Sequence, residues 1–430
     1  MSHVVVVGAG IGGVPAALEI RQTLGSQHQI TLINERPSFD FTPSNIWVQV
    51  DTRRREQISV ALAPIMARHR IDFIPQAMTR LDPENNQIHL ADGQIVDYDF
   101  LILATGPKLA FQEISGLGPD HHTHSVCTLD HAEKARDAFM GLIANPGPIV
   151  VGAAQGVSCF GPSYEVALLM DRALRRRRIR HKVPMTFVTS EPYIGHLGLG
   201  GVANAKDILE RELRKHDITF LTNTSIRSIE HQQAHITVHN DRGEPQQEKT
   251  LPFSYAMILP PFTGIDPLCG IKGLVNPRGF VLIDQHQANP AFPNIYAVGV
   301  CVAIAPPEPT PLPTGVPKTG YMIESMVKAS VANIAATIAG KAPTATATWN
   351  AICLADLGDQ AVAFVAMPQI PPRNVAWAKK GRWVHWSKVA FERYFLRKVR
   401  TGSTDPAFER LALRLVGIEK LERLVSRSRQ

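Results

Sequence analysis

The residues of this chain with the most chemical potential are its five cysteines, Cys127, Cys159, Cys269, Cys301 and Cys353. None stand in C-x-x-C or C-x-x-x-x-C spacing, so no short active-site disulfide loop is available, and no metal site is expected. An odd number of cysteines in 430 residues does not suggest a disulfide scaffold either. A redox pair here has to join distant segments. Cys159 has the strongest local setting, because it follows an apolar strand and precedes a helix that Pro162 can open. A helix N-terminus favours thiolate over thiol, and thiolate is the nucleophile. A lone buried cysteine is more often inert packing, and Cys269 and Cys301 read that way.

Two β-α units supply the frame. Val4–Val7 is a short, wholly apolar run of the kind a buried parallel strand needs. Gly8, Gly10, Gly12 and Gly13 follow, with Gly8, Gly10 and Gly13 in G-x-G-x-x-G spacing. A helical pattern and a second strand, 30–34, lead to Glu35. Strand, glycine turn, helix and acid in this order predict a dinucleotide cradle, with Glu35 accepting from the adenosine ribose hydroxyls. The second unit begins at 148–152, but its turn reads Gly152-Ala153-Ala154-Gln155-Gly156, with Ala154 where a middle glycine belongs. Strands are expected at 100–103, 185–189 and 218–221, and Pro306–Pro317 reads as a loop over the site.

The net charge of +7 is unevenly placed: residues 373–430 carry +10 and the rest −3. The same end concentrates Trp377, Trp383, Trp386, Phe391, Tyr394 and Phe395 over 374–400, and a second apolar helical repeat runs through Phe408, Leu411, Leu415, Ile418 and Val425. Two basic, aromatic amphipathic helices are expected to lie on a bilayer surface and not across it. No run of about 18 uncharged apolar residues exists to span one, and the N-terminus lacks the cationic and cleavage features of a signal peptide. The expected location is therefore the membrane periphery; nothing indicates nucleic acid.

Ala104-Thr105-Gly106 after strand 100–103, and 294–299 ending in Gly299, resemble the remaining FAD signatures of disulfide-oxidoreductase-like flavoproteins. Val300 and Cys301 stand where that superfamily usually carries an acid, so backbone N–H groups take its contact. More narrowly, Val126-Cys127, the run from Gly152 through Cys159-Phe160-Gly161-Pro162, Lys318-Thr319-Gly320-Tyr321-Met322-Ile323-Glu324, Cys353-Leu354-Ala355-Asp356 and the basic aromatic tail resemble bacterial sulfide:quinone oxidoreductases along essentially the whole chain. The resemblance implies an α/β fold of two Rossmann-like domains of the FAD/NAD-linked reductase type plus a C-terminal amphipathic helical membrane-docking segment. The FAD domain would span 1–110 and 265–340, the second domain 111–264 and the quinone and membrane region 341–430. It implies FAD as cofactor, sulfide and membrane quinone as substrates, and Cys159 and Cys353 as a redox pair bridged by sulfur at rest, assisted by Cys127. It also implies His131 and His196 on the sulfide route, Lys318 beside the reduced flavin, and Phe391 and Phe408 at the quinone, with homo-oligomers possible in such a family. A type II NADH:quinone dehydrogenase shares this frame but needs an intact second glycine motif; a non-catalytic membrane-binding flavoprotein would need no cysteine pair.

Overall fold

The computed structural model describes residues 1–404 and 421. The expected glycine cradle opens it: strand β1 (His3–Val7), helix α1 (Gly13–Leu24) and strand β2 (Gln29–Ile33). Strand β3 (Phe100–Leu103) flanks β1 on the other side, with Val4 facing both Ile30 and Phe100 in parallel register. The strands Ile295–Ala297 and Asp72–Ile74 complete a five-stranded parallel sheet, so a late segment closes onto the N-terminal one. Val4, Val5 and Val6 are fully buried because helices and loops cover both faces of such a sheet.

After helix α2 (Leu129–Ala144), a second parallel sheet is built on β4 (Ile149–Ala153). Helix α3 (Gly161–Arg176) leads from it to β5 (Met185–Thr189), and strands Ile218–Leu221 and Tyr255–Leu259 lie at the sheet's edges. Helix α4 (Gly320–Ile338) packs against α1. The chain then makes an antiparallel sheet of β6 (Ala351–Asp356), β7 (Ala361–Met367) and β8 (Val375–Gly381), and ends the described region in helix α5 (Arg382–Thr401).

Strand β8 corrects the expectation of one helix over 374–400. Trp377, Lys379 and Lys380 belong to a hairpin in which Trp377 pairs with Val365 and Lys379 with Ala363. Cross-strand pairing with the apolar β7 overrides the helical spacing that the basic and aromatic residues suggested. The second amphipathic repeat, including Phe408, falls outside the described residues. Among the described residues, no helix is long and apolar enough to cross a membrane.

Candidate active site

The three dinucleotide signatures meet at the carboxyl end of the first sheet. Gly8 has φ of +100°, and a Cβ there would fall 2.4 Å from the Ala104 carbonyl oxygen. A Cβ on Gly13 would lie 1.7 Å from the Gly8 oxygen, and one on Gly12 would press on Val298 and Ile323. Gly10 faces open space instead, which leaves its backbone accessible to a phosphate at the uncapped start of α1. Asn34 holds the turn by accepting from the Ala9 N–H at 2.9 Å. Glu35, just past β2, is exposed and bonds to no described protein group. Thr105 and Gly106 follow Ala104 at the end of β3, and Gly299 and Val300 form a tight turn after Val298. These residues fit FAD: cradle, ribose acid and the two later turns converge on one crevice.

Lys318 stands at the start of α4 with no carboxylate partner among the described residues, over the Phe280 ring. Burial lowers its pKa to about 8, opposed by the nearby Cys301 and Cys159 sulfurs. A desolvated ammonium in this place suits an anionic reduced flavin. Cys301 is buried against the Leu103 and Val298 carbonyls, and Cys269 contacts the Ile265 carbonyl, both in packing roles.

Cys159 lies two residues before α3, whose first turn carries Pro162. Cys353 comes from β6, 194 residues later, yet its sulfur is 3.9 Å from where a Cβ on Gly161 would sit. The chain therefore folds both cysteines to one helix start, and Cys127 is close enough to act electrostatically on Cys159. Burial pushes Cys159 up to about 12, with Cys353, Glu165 and Cys127 adding to it, and the Gly161 N–H opposing. Cys353 and Cys127 are each pushed up to about 11, again mainly by burial. The helix start does favour thiolate as its position suggests, but desolvation outweighs it.

Glu165, six residues past Cys159 on α3, is buried and near enough to act electrostatically on both cysteines. It accepts from the Asp356 backbone N–H at 2.8 Å and pairs with Lys388 of α5, which is only 6% exposed. Asp356, on the strand that carries Cys353, accepts from Trp47 Nε1 at 2.8 Å and faces His385 Nδ1 at 3.0 Å. The pair joins residues 223 apart, and no local pattern could reveal it.

His131 occupies the first turn of α2, edge-on to Phe111, with a buried Nδ1 that has no partner. Burial lowers its pKa, and none of the cysteines is among the groups that shift it. His196 is buried in the glycine-rich 191–201 loop; its Nε2 lies 3.2 Å from Glu308 and its Nδ1 accepts from the Gly198 N–H. Phe391 packs on Phe41 and Phe395 and touches Gly320, two residues from Lys318.

The same loop rests on a fully buried carboxylate. Glu191 follows β5 and accepts from Tyr164 Oη at 2.7 Å, Thr189 Oγ1 at 2.9 Å and the Leu197 N–H at 2.7 Å. Burial raises its pKa to about 7 against these donors. The fold thus binds a proton that the unfolded chain releases above the ordinary carboxylate pKa, so this site loses stability as pH rises from about 4.5 towards 7. Glu191→Gln is expected to flatten that loss. Between pH 5.5 and 8, wild type should lose on the order of 2 kcal/mol relative to the variant in denaturant unfolding; parallel pH profiles would contradict this.

Residues 2–330 match the family described as pyridine nucleotide-disulphide oxidoreductase. The chain is 41% identical over 415 residues, covering 96% of it and 94% of its relative, to a protein of Aquifex aeolicus named sulfide-quinone reductase. The crystal structure titled as the sulfide:quinone oxidoreductase of that bacterium superposes with a TM-score of 0.94 at 40% identity, covering 98% of this chain and 97% of the other. A mouse protein named mitochondrial sulfide:quinone oxidoreductase is 22% identical over 70% of this chain and 65% of its own length. The structure of NDH2 from Plasmodium falciparum with NADH shares the fold, with a TM-score of 0.71 at 16% identity over 93% of this chain and 96% of that one.

Proposed function

This chain belongs to the sulfide:quinone oxidoreductases of the pyridine nucleotide-disulphide oxidoreductase family, and from that membership we propose that Cys159 and Cys353 are the pair through which it oxidises sulfide. It is an FAD enzyme with sulfide and quinone as substrates. The observation that carries the assignment of the pair is the approach of the Cys353 sulfur to the start of α3, two residues beyond Cys159.

Attack of HS⁻ on a sulfur bridge between the two cysteines breaks one S–S bond. It leaves a persulfide on one cysteine and a thiolate on the other. Closing that thiolate onto the persulfide's outer sulfur forms a bridge longer by one sulfur and releases one proton and two electrons, which bound FAD would accept and hand on to quinone. Glu165 acts electrostatically on both cysteines, its own pKa raised by burial, and is placed to take the proton that the persulfide gives up as the bridge closes. Lys388 keeps that carboxylate from being an uncompensated buried charge. His131, with its free Nδ1, is the group suited to accept a proton from H2S on the way in, while both ring nitrogens of His196 are engaged by Gly198 and Glu308. Cys127 is an auxiliary thiol. Gly8, Gly10, Gly12, Gly13, Glu35, Ala104, Thr105, Gly106, Gly299 and Val300 would hold FAD, and Lys318 would supply a positive charge to the reduced flavin. Phe391 lines the quinone site, and Phe408 is assigned there by resemblance.

Quinone arrives from lipid, and α5 presents a face suited to a bilayer surface. Trp383 and Trp386 are 52% and 64% exposed, and Ala390, Arg393 and Arg397 continue the same helical stripe outward. Lys388 and Lys398 point inward to Glu165 and Glu324, so the helix stays docked by ion pairs while its aromatic face meets lipid. Arg393→Ala with Arg397→Ala is expected to weaken binding to vesicles rich in anionic lipid by about 2 kcal/mol, roughly thirty-fold. Co-sedimentation checks this, and unchanged partitioning would count against the docking face.

Anaerobic addition of sulfide to the purified flavoprotein tests the function. The visible flavin band should bleach and return on adding a short-chain quinone, with NADH giving no bleaching. Bleaching by NADH and none by sulfide would overturn the reading.

A further inference from the structure

We propose that Gly315 is a positioning residue for Cys159, the point at which a proline-rich strap clamps the cysteine turn; the inference rests on the thiol reading above. The strap, Pro306–Pro317, crosses the second glycine turn directly. The Gly156 N–H donates to the Pro313 carbonyl at 2.7 Å, and the Gly315 N–H donates to the Val157 carbonyl at 2.7 Å. The first of these bonds uses an N–H that a glycine turn of this kind would otherwise offer to a phosphate. In this chain, the donor is spent on fixing the turn.

Between the two bonds the fit is tight. A Cβ on Gly315 would lie 2.6 Å from Ser158 Cβ, 2.9 Å from its Cα and 3.1 Å from its Oγ. Ser158 is buried beneath the strap, and Cys159 emerges immediately after it. The strap cannot simply lift away. The glycine loop backs it from above, with Gly198 so near that a Cβ there would be 2.1 Å from the Gly315 oxygen, and with His196 latched to Glu308. Gln369 holds its far end by donating to the Pro317 carbonyl at 2.7 Å. The strap runs on into Lys318, so the segment that fixes the Cys159 turn also fixes the cation at the flavin crevice.

Gly315→Ala therefore has to displace the Ser158–Cys159 turn by about 1 Å, a shift that costs on the order of 10²-fold when it misaligns reacting groups. The expected result is a fall of that size in the limiting rate of flavin reduction at saturating sulfide. Reoxidation of chemically reduced enzyme by quinone should stay at the wild-type rate, and the rate of Cys159 alkylation by iodoacetamide after reduction of the bridge, followed by peptide mapping, should change. Ser158→Gly added to Gly315→Ala removes two of the three close contacts and should recover at least about ten-fold. Flavin reduction by Gly315→Ala within about two-fold of wild type, or no recovery in the double variant, overturns the proposal. If Gly315→Ala fails to retain FAD, Ser158→Thr crowds the same contact from the other side; a wild-type rate there also overturns it. Cys159→Ala in parallel separates the two claims. If it still reduces flavin, the thiol reading itself fails; if it is inactive while Gly315→Ala stays within about two-fold of wild type, only the positioning role fails.

Discussion

Cys159→Ala is expected to slow sulfide-driven flavin reduction by at least about 10³-fold, and Cys353→Ala to do the same. The double variant should be little worse than either, because groups that act as one unit do not contribute additively. The physical reason is that neither sulfur can act alone in this pocket. Desolvation and the neighbouring sulfurs and carboxylate raise the pKa of both thiols, even though Cys159 opens to solvent, so neither is poised as a nucleophile by itself. Only a partner sulfur at the same helix start gives sulfide an S–S bond to attack. Stopped-flow absorbance under anaerobic conditions measures this directly. Cys269→Ala should match wild type, since that sulfur packs on the Gly264 and Ile265 carbonyls and against Gly279.

The second large effect concerns the buried Glu165–Lys388 ion pair. Lys388→Met should destabilise the protein by about 3–5 kcal/mol, the range found when one partner of a buried pair is removed. Glu165, whose pKa burial already raises, would lose the cation that opposes that rise. The penalty should therefore grow as pH climbs above the ordinary carboxylate range, where the unfolded chain is ionised and the fold resists ionisation. Glu165→Gln combined with Lys388→Met should regain most of the loss, because a neutral pair leaves no uncompensated charge. Denaturant unfolding of the three variants at pH 5.5 and 8 tests this. A fully stable Lys388→Met would mean that the pair carries no such weight.

Much of the frame was legible because it is written locally. Phe100–Leu103, Met185–Thr189 and Ile218–Leu221 are strands with the expected bounds, each a short apolar run between turn residues. The first cradle was legible from glycine spacing, since a Cβ at Gly8 or Gly13 would collide with backbone. Strand β8 was not, because its charged and aromatic residues carry a helical spacing that only pairing with β7 overrules. The resemblance, and not local pattern, pointed to the juxtaposition of Cys159 and Cys353. Glu165–Lys388, Asp356–His385 and the strap over Ser158 depend on chain segments far apart in sequence, and no periodicity encodes them. The inward turn of Lys388 and Lys398 was hidden for the same reason: their basic character fits a lipid face as well as a buried pair.

The sulfur chemistry has one direct test: anaerobic treatment with a single equivalent of sulfide, rapid quenching, and peptide mass spectrometry of every cysteine. The prediction is added sulfur on the peptide of Cys159 or Cys353 and none on those of Cys269 and Cys301. Full flavin reduction with no sulfur gained at either residue 159 or 353 would contradict it.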